Sequence, residues 1–70
     1  MPEMIFVDSS NIEAIGYDED NQELHVQFLS GACYMYIGVP RDVFDNLMYA
    51  PSKGSFLNRE IKGIYSYSKL

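Results

Sequence analysis

The chain is short of most things that announce a chemistry. It has one cysteine, Cys33, one histidine, His25, and no tryptophan in 70 residues. A lone cysteine excludes an internal disulfide, so the fold must stand without a covalent staple. A reducing compartment suits a lone thiol. With one His and one Cys, no zinc site closes within a monomer, and no metal or cofactor is expected. No apolar run approaches the roughly 18 residues of a transmembrane helix, so no membrane partner is expected. The opening Met1-Pro2-Glu3-Met4-Ile5-Phe6-Val7 has no basic residue and too short an apolar stretch for a signal peptide. A cytoplasmic location is therefore expected. Positive charge is also scarce, with five Lys and Arg against ten Asp and Glu and a net charge of −5. Such a chain lacks the broad basic footprint of a nucleic-acid binder, so any such binding must be local.

The content that remains is globular. Apolar residues make up 47% and aromatics 14%, which separates the chain from disordered ones. Seventy residues form one domain, 1–70, near the lower limit for an independent core. The charge is unevenly spread. Residues 1–40 hold seven acids and no Lys or Arg; residues 41–70 hold five bases and three acids. The first part sums to −7 and the second to +2.

Alternation and turn chemistry order the elements. Ile12-Glu13-Ala14-Ile15-Gly16-Tyr17 reads as a strand, followed by the turn residues Asp18-Glu19-Asp20-Asn21. Glu23-Leu24-His25-Val26-Gln27-Phe28 alternates strictly, with Leu24, Val26 and Phe28 on one face. Ser30-Gly31 turns the chain into a third strand, Ala32–Ile37. Pro40 and Asp42 suit the start of a helix, and Val43, Phe44, Leu47 and Met48 give it an apolar stripe. Pro51 ends it, and Ser52 caps a second helix with Phe56, Leu57 and Ile61 inward and Gly63 beyond its end. Ile64-Tyr65-Ser66-Tyr67 alternates again, as a short strand or an extended tail. The expected fold is α+β: a three-stranded antiparallel meander followed by two short helices on one face, in the order β-β-β-α-α. The expected core is Phe28, Phe44, Leu47, Phe56 and Ile61.

An ordered set of short matches runs through most of the chain: Val7-Asp8-Ser9-Ser10-Asn11-Ile12, Ile15-Gly16-Tyr17-Asp18, Leu24–Phe28, Tyr34-Met35-Tyr36, Val39-Pro40, Ser52-x-Gly54-x-Phe56-Leu57-Asn58-x-x-Ile61-Lys62 and Tyr65-x-Tyr67. In this set the chain resembles the KTSC domain family, named for its occurrence at the C-terminus of some lysyl-tRNA synthetases. The resemblance implies a bacterial or phage protein and a small domain with no established biochemical activity. Tyr34-Met35-Tyr36 is similar to the family's YxY motif. The synthetase appendage implies contact with tRNA or protein by association alone.

Two registers are open for the second hairpin. A two-residue Ser30-Gly31 loop pairs Val26 with Met35 and turns Tyr34 and Tyr36 outward beside His25. A three-residue Ser30-Gly31-Ala32 loop shifts the pairing by one and turns both tyrosines inward. The family's middle YxY residue is often polar, which by resemblance favours the second. Tyr34 and Tyr36 then read either as core, favoured by their area, or as a stacking platform for bases.

Catalysis finds no support. In one register His25 and Cys33 lie on opposite faces; in the other His25 pairs with Ile37, roughly 13 Å from Cys33 at 3.3 Å per residue. Asp18, Asp20 and Glu23 fail as a calcium loop, because Glu23 and Leu29 stand where Gly and Glu are required. Gly54 stands alone and is no phosphate cradle. In a helix it needs an offsetting contact, read as packing against the first helix. Asn58, Arg59 and Lys62 share one face of a regular second helix. The chain is thus expected to be a non-catalytic binding module. Its expected target is RNA or an acidic protein surface, met by Lys53, Asn58, Arg59, Lys62 and Lys69 with an exposed tyrosine among Tyr34, Tyr36 and Tyr67. The alternative is a structural protein–protein interaction or homo-oligomerisation domain.

Overall fold

A computed structural model describes residues 2–70; Met1 lies outside the described residues. The chain forms β1 (Met4–Phe6), β2 (Ile12–Asp18), β3 (Glu23–Phe28), β4 (Cys33–Ile37), α1 (Arg41–Tyr49), α2 (Lys53–Phe56) and β5 (Tyr67–Lys69). α2 runs directly into a π-helical turn, Leu57–Ile61. The fold class is α+β and the three expected strands are present. The strand count is not three, however. The sheet has five strands in the order β1-β2-β3-β4-β5, each antiparallel to its neighbour.

The alternation of β3 decides the layering. Tyr17, Leu24, Tyr36 and Tyr67 pair in one row across the sheet, and Ile5, Ile15, Val26, Tyr34 and Lys69 in the next. On this face Ile15, Leu24, Val26 and Tyr36 pack against Leu47 of α1 and Leu57 and Ile61 of the π-turn. All seven are buried, and Ile12 and Val39 complete the core. Burial of such aliphatic side chains contributes roughly 1.5–3 kcal/mol each. Phe28, Phe44 and Phe56 were expected inside, but they are only half-buried and pack around the aliphatic centre. Phe44 instead stacks on Tyr17 with ring centroids 4.9 Å apart. The Tyr17 hydroxyl donates to the Val39 carbonyl.

Neither expected hairpin register occurs. Val26 pairs with Tyr34 and Leu24 with Tyr36, and the Phe28 amide donates to Ala32. The loop is Leu29-Ser30-Gly31, three residues but one position earlier than drawn. Gly31 holds φ at 96°, a left-handed angle that favours glycine. The parity is that of the three-residue loop, so both tyrosines point to the helix side.

The helix ends follow the sequence. Pro40 stands at the N-cap of α1 with Asp42 in the first turn. Arg41 ties α1 to the acidic β2–β3 turn, reaching Asp45 at 3.1 Å and Glu19 at 2.7 Å. The Ser52 hydroxyl accepts from the Ser55 amide. Gly54 has a different reason from the one expected. A β-carbon there would sit 2.6 Å from Asn11 Oδ1, so the loop before β2, not α1, requires the glycine.

Candidate functional site

The candidate site lies where the helix-side face runs out past the helices. Two adjoining hollows, of about 400 and 80 Å3, share Phe28, Tyr34 and Lys62 as walls. The larger extends over Ser10, Asn11, Leu29, Ser30 and Ala32. The smaller reaches Tyr36 and Tyr67. Together they form one open groove with an aromatic end and a hydroxyl- and amide-lined end.

The rings are set by the sheet. Tyr67 stands opposite Tyr36 and Lys69 opposite Tyr34. Phe28 meets Tyr34 edge to face at 5.7 Å, Tyr34 meets Tyr67 edge to face at 5.6 Å, and Tyr36 and Tyr67 lie tilted at 6.0 Å. Such pairs hold each other's orientation and contribute about 0.5–1.5 kcal/mol each beyond burial. Exposure grades along the cluster. Tyr36 is 3% exposed, Tyr34 half-buried and Tyr67 60% exposed. Tyr36 is thus core, and its removal from water raises its pKa, with smaller contributions from Tyr34 and Tyr67. Tyr34 and Tyr67 are the rings a ligand reaches.

Lys62 arrives by a departure from regular helix. Its amide donates to the Leu57 carbonyl at 2.7 Å, the i→i+5 bond of a π-turn. Its own backbone then turns extended, at ψ 126°. The expectation that Asn58, Arg59 and Lys62 share a helix face fails for this reason. Lys62 lines the groove; Asn58 and Arg59 are exposed but line neither hollow. Arg59 pairs with its neighbour Glu60 at 3.3 Å. Lys53 is half-buried, and its ammonium donates to the Ala50 carbonyl at 3.3 Å. Among the described residues Lys62 and Lys69 have no carboxylate partner, and both are exposed.

Tyr34, Tyr36, Tyr67 and Lys62 are therefore brought together, while Lys53, Asn58 and Arg59 are not. Phe28, Ser10, Asn11 and Ser30 were missed as groove residues. The demand of Gly54 for a close neighbour was the one signal pointing to Asn11. The reverse face corrects a distance as well. Gln27 pairs with Cys33 and His25 with Met35. His25 and Cys33 are thus diagonal neighbours, roughly 7–8 Å apart by sheet geometry, not 13 Å. Among the described residues no group of three His, Cys, Asp or Glu side chains gathers, and no helix is long and apolar enough to cross a membrane.

The profile of the KTSC domain family matches residues 8–65. The chain belongs to the KTSC domain family. It is 50% identical over 56 residues to a protein of Tsukamurella paurometabola, covering 80% of this chain and 84% of that one. It is 38% identical over 63 residues to a lysine–tRNA ligase of Nostoc punctiforme, covering 90% of this chain but only 11% of the ligase. The crystal structure of a KTSC domain protein from Yersinia pestis superposes with a TM-score of 0.96 at 41% identity, covering 100% of this chain and 99% of that one. The matched residues 8–65 omit β1 and β5, so Tyr67 and Lys69 lie outside the family match.

Proposed function

We propose that this KTSC domain is a non-catalytic binding module that takes short single-stranded RNA in the aromatic groove. One observation carries the reading: the ring pair Tyr34 and Tyr67 borders an open groove with Lys62, Lys69 stands opposite Tyr34 in the register, and among the described residues neither lysine has a carboxylate partner. Bases stack on tyrosine rings without regard to sequence, and ammonium groups meet the phosphates between them. The hydroxyl and amide groups of Ser10, Asn11 and Ser30 offer hydrogen bonds to a base edge. Kinship with a segment of a lysine–tRNA ligase supports RNA as the target class. No catalytic role is proposed.

The basic contact is smaller than the sequence suggested. Two cations at roughly 0.7 each give a salt slope of log affinity of about 1.4 in magnitude. Titration of fluorescently labelled tRNA at two salt concentrations tests this. Lys62→Ala is expected to weaken binding and reduce the slope by about half, and Arg59→Ala to change neither. No binding at low salt, or equal loss in both variants, contradicts the proposal.

A second reading rests on a separate observation. Among the described residues no helix covers the reverse face of the sheet, and there Phe6 is 78% and Ile37 44% exposed. Exposed apolar side chains on a face without a helix over it favour protein contact, including self-association. Sedimentation of the wild type against Phe6→Ser distinguishes this, since only a self-associating face shifts with the substitution.

A further inference from the structure

We infer that two copies of this chain pair edge to edge through β1, joining their sheets into one continuous antiparallel sheet. This is the self-association raised above, and rests on that reading, with the contact placed at a strand edge rather than on the open face. The parity of the backbone hydrogen bonds leaves that edge free. The Val7 amide donates to the Glu13 carbonyl at 3.0 Å. Val7 and Ile5 therefore turn their backbone groups towards β2, and the alternation of an antiparallel ladder turns those of Met4 and Phe6 outward. Among the described residues no strand lies beyond β1. A row of unpaired N–H and C=O groups is a template for a further strand.

The two edges of the sheet are not alike. β5 carries Lys69, and a lysine on an edge strand guards it against pairing. β1 is Met4-Ile5-Phe6, with no charge within it. Its Ile5 is 46% and its Phe6 78% exposed. Exposed apolar side chains on an edge without a charge mark that edge for pairing.

The register selects a second copy as the occupant. A two-fold axis at Ile5 overlaps all of β1 with itself. Met4 then exchanges both backbone hydrogen bonds with the partner's Phe6, and Phe6 does so with the partner's Met4. Ile5 meets the partner's Ile5 with β-carbons roughly 4.5–5.5 Å apart. Ile5 stands in the helix-side row with the buried Ile15 and Val26, so the core row of one copy runs through the axis into that of the other. On the reverse face the Phe6 ring comes within reach of the partner's Met4 thioether, a favourable pairing. No like charges stand directly opposite, because Glu3 faces the partner's Val7. Both helix layers stay on one side of the joined sheet. Pairing of β1 with β5 of another copy lacks this property. The Leu70 amide donates to the Cys33 carbonyl and the Ile37 amide to the Ser66 carbonyl, which turns the backbone groups of Tyr67 and Lys69 outward. Those two residues carry helix-side side chains, whereas Met4 and Phe6 carry reverse-face ones. A β1–β5 joint would therefore put the two helix layers on opposite sides. The closed two-fold pair is the arrangement that keeps the layer intact.

The test is sedimentation of the whole chain at concentrations from about 1 μM to about 1 mM, which spans weak to moderate association. The wild type is expected to pass from monomer to dimer across this range. Added salt is expected to strengthen the dimer. Glu3 of one copy and Glu13 of the other flank Val7 in one row, and salt screens their repulsion. Ile5→Lys and Ile5→Glu each put like charges opposite at the axis, so each variant alone is expected to stay monomeric. An equimolar mixture of the two is expected to restore the dimer, because opposite charges then meet there. Ile37→Ser alters the open face and not the edge, and is expected to leave the dimer unchanged. Circular dichroism of each variant confirms the fold. A wild type that stays monomeric at every concentration overturns both the edge pairing and self-association itself. A dimer lost in Ile37→Ser but kept in Ile5→Lys places self-association on the open face and overturns the edge alone. A mixture of Ile5→Lys and Ile5→Glu that stays monomeric also overturns the edge.

Discussion

The two faces of one sheet are built on opposite terms. On the helix side, neighbouring strands meet in rows of large side chains, and two short helices close over them. On the reverse side Ala14 and Gly16 keep the rows thin, no helix closes over them, and a buried histidine sits among sulfur-bearing side chains. The first face spends its area on stability. Only at its margin, past Lys62, does it open to a ligand. The second contributes less to the core and leaves Phe6 and Ile37 in solvent. The core and the proposed groove thus share the helix-side face, and substitutions on the two faces should have unequal consequences for stability.

The largest effect is expected at the helix-side centre. Leu47 and Ile61 are fully buried, so truncation of either to Ala should cost about 2–5 kcal/mol in urea unfolding. Phe44→Ala should cost less than Leu47→Ala, because its ring is partly in solvent whereas Leu47 is fully buried. A larger loss at Phe44 would return the core to the aromatic residues.

Next in size is Gly16→Ala. The added methyl meets Met4 Sδ at 2.6 Å and the Glu3 carbonyl at 2.9 Å. The sulfur can swing away but the carbonyl belongs to the backbone leading into β1. Overpacking of this kind costs about 1–3 kcal/mol. The damage should be local, with faster amide exchange in Met4–Phe6 and little change in β3. Equal loosening of both faces would break the proposed division.

A smaller effect is expected from pH. Burial raises the pKa of Tyr36, and of Tyr17 beside Glu19. A group whose folded pKa lies above its unfolded value stabilises the fold fully below the unfolded value, near 10 for tyrosine. That stability is lost as pH rises through the folded value. Stability should therefore fall above about pH 10, and less steeply in Tyr36→Phe than in the wild type.

The smallest effect belongs to the reverse face. Phe6→Ser, at a ring 78% exposed, should change stability by no more than about 0.5 kcal/mol. A loss comparable to Leu47→Ala would mean that something covers this face in solution.

How much of this was written in the residues depends on element length. β2, β3, β4 and α1 were legible, because each has a periodic pattern and turn chemistry at its ends. Met4-Ile5-Phe6 and Tyr67-Ser68-Lys69 are three-residue edges, too short for alternation to show. The hairpin register was missed because Leu29 is apolar and reads as strand. The left-handed Gly31 instead closes the loop one residue earlier. The π-turn has no separate sequence signal, so Lys62 was placed on a regular helix with Asn58 and Arg59. His25 was assigned to the correct face but expected in solvent. It is 5% exposed instead. The site was half visible: Tyr34, Tyr36, Tyr67 and Lys62 were named, while Phe28, Ser10 and Asn11 required the register and the Gly54 contact.

The proposed groove is tested most directly by mapping amide and side-chain chemical shifts as unlabelled tRNA is added to isotopically labelled protein at low salt. Shifts concentrated at Phe28, Tyr34, Lys62, Tyr67 and Lys69, with His25, Met35 and Phe6 unmoved, are the expected result. Shifts centred on His25, Met35 and Phe6, or no shifts at all, would contradict the groove as the RNA site.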